Sequence, residues 1–490
     1  MPIDVLDDDV LVEIFQISAL LDYPTRFGKL GWIRLTHVNR RWRTLLLDQQ
    51  ALWGHIICSF VSREAFRVIL SRSRNAPLSL NLDLPWIERH TTIEEFASLL
   101  PRARDIHDAS SNSGVGSARI PLAGLKMPFL EHAFIVSCYS PGSALIAPSL
   151  RCLSTCKLPC SISAPNLRIL GLSLPAQEAN AQHLPDLLAT FPALEEFTIH
   201  LIDAKPWHGL AEHDNNPATQ LDEEKPHDIQ EASPHDKPRV ALSHLKSLET
   251  LNCGESLIQM LWRSLVVPHT AAVKLAFDRR LATIDVGLAE PIQTYLSYRE
   301  CDMLSIIIPY YRDEMTCLVA GRDPSAAGSC TLTVETDLPN ILSFFSSHLF
   351  EHTRTLRLFN EVRDHGLRDL LMGIANTAPA GKFAFVESLQ CGGPELSELA
   401  VVLASYDFPR LRSLELDLTE YAHDGDPVDD FTRVLLARTS LRKLDRIVLR
   451  GHFTSEEESK TAGDILHRDL LQVADEVVDE RALARGLLTA

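Results

Sequence analysis

The chain has 490 residues, 45% of them apolar and 23% charged, a globular composition with ample material for a large core. Its formal net charge is −18 and its pI about 5.5, which argues against general nucleic-acid binding through excess Lys and Arg. No run approaches the ~20 apolar residues that span a bilayer, the acidic "MPIDVLDDDV" is no secretory leader, and 10 dispersed cysteines read as reduced thiols of a cytoplasmic or nuclear protein.

The first predicted element is "LDDDVLVEIFQISALL", residues 6–21. Its acidic start suits a helix N-terminus through capping and the helix dipole. Val10, Leu11, Ile14, Phe15 and Ile17 then recur at helical spacing. Pro24, Gly28 and Gly31 interrupt the pattern. In the following "GWIRLTHVNRRWRTLLLDQQALW", Trp32, Leu35, Val38, Trp42, Leu45 and Leu46 step at helical spacing and predict a second amphipathic helix. Arg34, Arg40, Arg41 and Arg43 lie mostly off its apolar face, too few for a nucleic-acid helix or a membrane-surface helix. "DQQALW" predicts a short third helix or turn ending on Trp53. Two or three such helices in roughly 55 residues make a small core, and a unit of this size often completes its core against a partner.

The pattern Leu6-x-x-Asp9-Val10-Leu11-x-x-Ile14-Phe15, then Leu35-x-x-Val38-x-Arg40-Arg41-Trp42-Arg43 and Leu52-Trp53, resembles an F-box. Its phrasing is similar to the F-box-like domains expanded in mushroom-forming fungi. Asp7 stands where the family usually has proline, and Asn39 where it usually has cysteine or a neighbour. The resemblance covers residues 4–56. It implies a module that docks the Skp-type adaptor of a cullin–RING ubiquitin ligase. Carried over, Leu6, Val10, Leu11, Ile14 and Phe15 would face the adaptor or the shared core, as would Leu35, Val38, Trp42 and Trp53. The alternative for Trp42 and Trp53 is that they fill only the module's own core.

Residues 57–120 read as a helical connector and the start of a repeat region, with a flexible link at "HDASSNSGVGSAR". The phrase Pro-x-Leu-x-x-Leu-x-Leu then recurs: "PSLRCLS" from Pro148, "PNLRILGLSL" from Pro165, "PALEEFTIHL" from Pro192, and "PRLRSLELDL" from Pro409. "LKSLETLNC" from Leu245 belongs with them, and looser relatives begin at Thr270, Thr353, Phe385 and Leu441. The leading Leu150, Leu167, Leu194 and Leu248 are 17, 27 and 54 residues apart, degenerate leucine-rich-repeat spacing with one insertion. Each phrase predicts a short strand with one buried side, and "AQHLPDLLATF" and "ELSELAVVLASYDF" predict return helices. The expected class is therefore an α+β or α/β repeat: a small helical F-box module followed by an irregular leucine-rich-repeat solenoid over residues 121–202 and 241–452, with a concave strand-lined surface. A generic α/β domain with leucine-rich strands is the alternative. Residues 203–240, polar, acidic and rich in proline, predict a disordered loop, and residues 453–490 an acidic helix or tail.

Little here promises chemistry. Cys152, Cys156 and Cys160, with Cys138 upstream, lack the paired spacing of a zinc site and read as small apolar residues. His200, His208, His213, His227, His235 and His244 sit in or beside the acidic loop and read as solvated. No P-loop, nucleophile elbow, H-E-x-x-H or strand-linked G-x-G-x-x-G occurs. No catalytic residue, metal or cofactor is expected. Arg438, Arg442, Lys443, Arg446 and Arg450 present either a basic edge for an acidic ligand or an ordinary solvated face. Together these readings predict a non-catalytic substrate-recognition subunit that binds an adaptor and an unknown protein client, with a repeat scaffold outside any ligase as the alternative.

Overall fold

The computed structural model describes residues 5–25, 29–60, 62–82, 87, 91–107, 122, 124–135, 144–156, 162–175, 183–202, 239–253, 255–268, 270–277, 303–308, 316–321, 331–336, 353–360, 383–392, 399, 403, 408–417, 433–437, 443–450 and 470–480. Most of the expected acidic loop, the glycine–serine link and residues 453–469 lie outside the described residues. The chain divides into two compact units, residues 1–245 with 264–266, and residues 246–263 with 267–490.

The first unit opens with helices α1 (Asp8–Leu21), α2 (Arg40–Asp48), α3 (Gln50–His55) and α4 (Arg63–Ser73). Leu11, Phe15 and Ala19, four residues apart, form the buried face of α1. Phe15 meets Trp42 edge to face at 5.1 Å between ring centres, and Trp32 meets Trp53 likewise at 5.0 Å. The buried indole of Trp53 donates to the Leu46 carbonyl at 2.9 Å, and the Arg72 guanidinium lies 4.5 Å above its ring.

The helix expected through Trp32–Leu46 is split. Gly31–His37 form a 3-10 turn, and α2 begins only after Asn39. Asn39 has extended backbone, and its side-chain oxygen accepts the Trp42 N–H at 2.8 Å. The asparagine thus starts a new helix instead of continuing the old one.

Strands β1 (Leu78–Asn81), β2 (Ala103–His107), β3 (His132–Ile135), β5 (Cys152–Thr155), β7 (Ile169–Pro175) and β8 (Glu196–Ile202) follow and pair in that order, all parallel. Short strands β4 (Leu145–Ile146) and β6 (Ile162–Ser163) pair with each other, as do β9 (Val240–Ala241) and β11 (Leu265–Val266). Helix α5 (Ile93–Ala97) carries a capping box between Thr92 and Glu95, and α6 (Leu184–Leu188) lies within the expected return helix.

One local device recurs before the strands. The N–H of Leu130, Leu150, Leu167 and Leu194 donates to the carbonyl three residues earlier, closing a turn with Pro128, Pro148, Pro165 or Pro192 at its second position. Proline presets the backbone angle that such a turn needs there. Each leucine is buried, and the next residue joins its strand to the previous one: Arg151 N–H donates to Glu131 O, Arg168 to Arg151 O, and Glu195 to Arg168 O. Alternation then sends Leu80, Ile106, Ala133, Leu153, Leu170 and Phe197 to one buried row.

The second unit contains β10 (Ser247–Cys253), β12 (Ala272–Phe277), β13 (Met303–Ile308), β14 (Thr316–Gly321), β15 (Thr331–Thr336), β16 (Thr355–Asn360), β17 (Ser388–Gly392), β18 (Ser413–Asp417), β19 (Leu444–Arg450) and β20 (Ala474–Asp479). Helix α7 (Glu255–Ser264) follows β10. The same turn recurs at Leu411, closed onto Phe408 around Pro409, and at Val386, closed onto Phe383. Two features depart from the sequence reading. Strand β14 runs antiparallel to β13 and β15, so a meander interrupts the parallel order between β12 and β16. And within the stretch expected to be an acidic helix or tail, the described residues are helical over 470–473 and then form β20, which pairs in parallel with β19. The partly hidden Val477 and Val478 lie opposite Ile447 and Val448 on β19, and that pairing overrides local helix preference.

Candidate interaction surfaces

The site residues implied by the resemblance separate into two sets. Leu11, Phe15, Trp42 and Trp53 are buried inside the helical module, so their first role is its own packing. Val10 and Val38 are exposed at 42% and 57%, and Leu6, Ile14 and Leu35 are half-buried. Arg41 fastens the start of α1 to α2: its guanidinium donates to the Leu6 carbonyl at 2.6 Å and pairs with Asp8 at 2.7 Å. Asp7, at the proline position of the family, has φ −64°, the angle a proline would hold, and its carbonyl accepts the Leu11 N–H at 3.0 Å.

A second apolar stripe lies on α1, and its members Val10 and Ile14 are among the residues the resemblance would turn to the adaptor. Val10, Ile14, Ile17 and Leu21 follow steps of four, three and four, which aligns them on a helix face distinct from the buried one. Ile17 and Leu21 are exposed at 57% and 82%, and neighbouring Leu20 is also exposed. Two interleaved helical stripes in one short helix are the signal that identifies an outer apolar face.

The other surface is the outward face of the parallel sheet in the first unit. Register aligns Ser79, Asp105, His132 and Cys152 in one row and Asn81, His107, Phe134 and Ser154 in the next. Over these rows lies a cleft of about 590 Å³, walled by Tyr23, Pro24 and Thr25 and by His55, Cys58 and Ser59. Tyr23 Oη donates to the His55 carbonyl at 3.0 Å and accepts from Ser59 Oγ at 3.1 Å. Burial raises the Tyr23 hydroxyl pKa, so it stays protonated.

Asp105 organises the floor. Its Oδ2 accepts from Ser79 Oγ at 2.5 Å and Arg104 Nε at 3.2 Å, and its Oδ1 lies 2.8 Å from His132 Nδ1. Burial pushes the Asp105 carboxyl pKa up, but the bonds from Ser79 and His132 and the Arg104 charge outweigh it and hold it below the usual value. His55 Nδ1 lies 2.8 Å from Ser79 Oγ and 3.2 Å from Arg104 Nη2. Burial, reinforced by the guanidinium, lowers the His55 pKa and favours the neutral ring. In a Ser-His-Asp triad the carboxylate meets the histidine and the histidine meets the serine, whereas here Asp105 accepts the Ser79 hydroxyl directly.

Among the described residues, no group of three or more His, Cys, Asp and Glu could hold a metal ion. Cys152 and Cys156 are described, while Cys138, Cys160 and the histidines at 208, 213, 227 and 235 lie outside the described residues. Of the expected basic edge, Arg446 pairs with Glu476 at 3.4 Å, and Arg450 pairs with Glu415 at 2.6 Å and Glu480 at 2.9 Å. Those two cations are matched by carboxylates on neighbouring elements, the solvated-face alternative. Arg438 and Arg442 lie outside the described residues. No family model matches the chain, and no curated protein proved significantly similar to it.

Proposed function

We propose that the chain is the substrate-recognition subunit of a Skp–cullin–F-box-type ubiquitin ligase, docking the adaptor through its N-terminal helices and a protein client through the outward face of its repeat strands, read as leucine-rich repeats. The observation that carries this reading is the outer stripe of α1. Leu11, Phe15 and Ala19 already supply the buried face of that helix, yet Val10, Ile17 and Leu21 remain exposed. Covering one such side chain stabilises a complex by up to about 1.5–3 kcal/mol, so a few suffice for a specific interface around a well-packed helix. In this reading the chain makes and breaks no covalent bond. It holds the client near the ligase's charged ubiquitin carrier and replaces a chance encounter with a high effective concentration.

The test is direct capture of a purified Skp-type adaptor by the full chain, with Ile17→Glu/Leu21→Glu as the comparison. Both positions are exposed, so the variant is expected to fold and to lose capture. A chain that never captures the adaptor would be a repeat scaffold outside any ligase.

A further inference from the structure

The cleft in the first unit plays no part in adaptor docking as proposed above. Its volume of about 590 Å³ is that of a ligand site, and its accessible lining is mostly carbon. Charge narrows what it can hold. Among the described lining residues Asp105 is the only carboxylate, and none is Lys or Arg. Both Asp105 oxygens are engaged, by Ser79, Arg104 and His132, so a cation would have to displace existing partners. An anion would meet a carboxylate and a His55 ring held toward its neutral form. The cleft therefore suits an uncharged group.

Shape and hydrogen bonding narrow it further. One face of Phe134 stacks on His107, with ring centres 5.0 Å apart and planes 18° apart. In the same row the next residues are Ser154, whose side chain is short, and then Gly171, which has none. Phe134 is itself 39% exposed, so an incoming ring has a surface to pack on. His132 stands two residues back on the same strand, about 6.8 Å along it, with Nδ1 directed at Asp105. A proton held on Nδ1 leaves Nε2 as an acceptor, and Nε2 has no hydrogen-bond partner among the described residues.

We propose that this cleft holds the protein client by a tyrosine side chain, its ring packed on Phe134 and its hydroxyl donating to Nε2 of His132. The existence of a client rests on the receptor reading above, but the chemistry of the cleft does not. Unmodified tyrosine is specified, because a phosphate there would bring two negative charges against Asp105.

The test titrates N-acetyl-tyrosinamide, N-acetyl-phenylalaninamide and N-acetyl-phosphotyrosinamide into the full chain, read by ligand-observed NMR. The tyrosine amide is expected to bind in the millimolar range, the phenylalanine amide about 10-fold more weakly, and the phosphotyrosine amide not detectably up to about 10 mM. Phe134→Ala, at a partly exposed position, is expected to abolish binding, and His132→Leu to remove the preference for tyrosine. No binding of the tyrosine amide, equal binding of the phenylalanine amide, or full binding by Phe134→Ala would each overturn the proposal. Adaptor capture, read on the same preparation, separates the two failures. Capture without tyrosine binding overturns the cleft assignment alone, and tyrosine binding without capture overturns the ligase reading alone.

Discussion

Gly31 sits at φ +56°, and a β-carbon there would lie 2.3 Å from the Asp22 carbonyl oxygen. The close approach is structural, because the Trp32 N–H donates to that same carbonyl at 2.8 Å and sets Trp32 against Trp53. Gly31→Ala is expected to destabilise the helical module by at least ~1–2 kcal/mol, from the left-handed backbone alone, as measured by denaturant unfolding. Stability equal to wild type would remove this account of the turn. The polar floor of the cleft makes a second residue-level prediction. Asp105 and His55 both have folded pKa values lowered from their ordinary 3.8 and 6.5. The unfolded chain therefore binds protons more readily at both sites, and acid favours unfolding. The His55 contribution is fully present above about pH 6.5 and fades as pH falls through its lower folded value. The Asp105 contribution fades below about pH 4. The chain has 19 histidines, so the His55 share is isolated by His55→Gln, which keeps a side-chain amide near Ser79 but does not titrate. Its melting temperature should fall less between pH 7 and pH 5 than that of wild type, and an equal fall would contradict the assignment.

At the scale of elements, much was legible because periodicity and turn chemistry are local. The apolar steps of α1 are in the sequence, and so is the proline-led turn before Leu150, Leu167 and Leu194, whose second position requires the backbone angle proline supplies. Other features were set by competition that a periodicity count does not weigh. Trp32 through Leu46 keep helical steps, yet the Asn39 side chain captures the Trp42 N–H and starts a separate helix. Residues 474–479 carry a helical prior, yet they form a strand paired in parallel with β19. The clustering of Ser79, Asp105 and His132 was not legible either. It depends on parallel register that brings together residues 26 and 27 apart in sequence, which only the assembled sheet provides. The outer stripe of α1 was legible in part: the resemblance carries Val10 and Ile14, and the helical steps beyond them lead to Ile17 and Leu21.

At the scale of the molecule, stability is expected to reside in the buried rows and not in the surface ion pairs. Leu170 is fully buried, with Leu153 and Phe197 beside it on the neighbouring strands. Leu170→Ala should cost about 2–5 kcal/mol through lost burial and the cavity left behind, read as a shift in the denaturation midpoint of the first unit. A cost below ~1 kcal/mol would mean that the row does not carry its load. Function is expected to divide along the chain in the same way, with α1 presenting an apolar face outward and the strands a recessed cleft whose mostly apolar lining lies over a polar floor. The most direct test of this account is adaptor binding by the intact chain, measured by size-exclusion chromatography with a purified Skp-type adaptor. The account predicts a one-to-one complex for wild type and none for Ile17→Glu/Leu21→Glu, with unchanged melting. Absence of a complex with wild type, or its persistence in the variant, would contradict it.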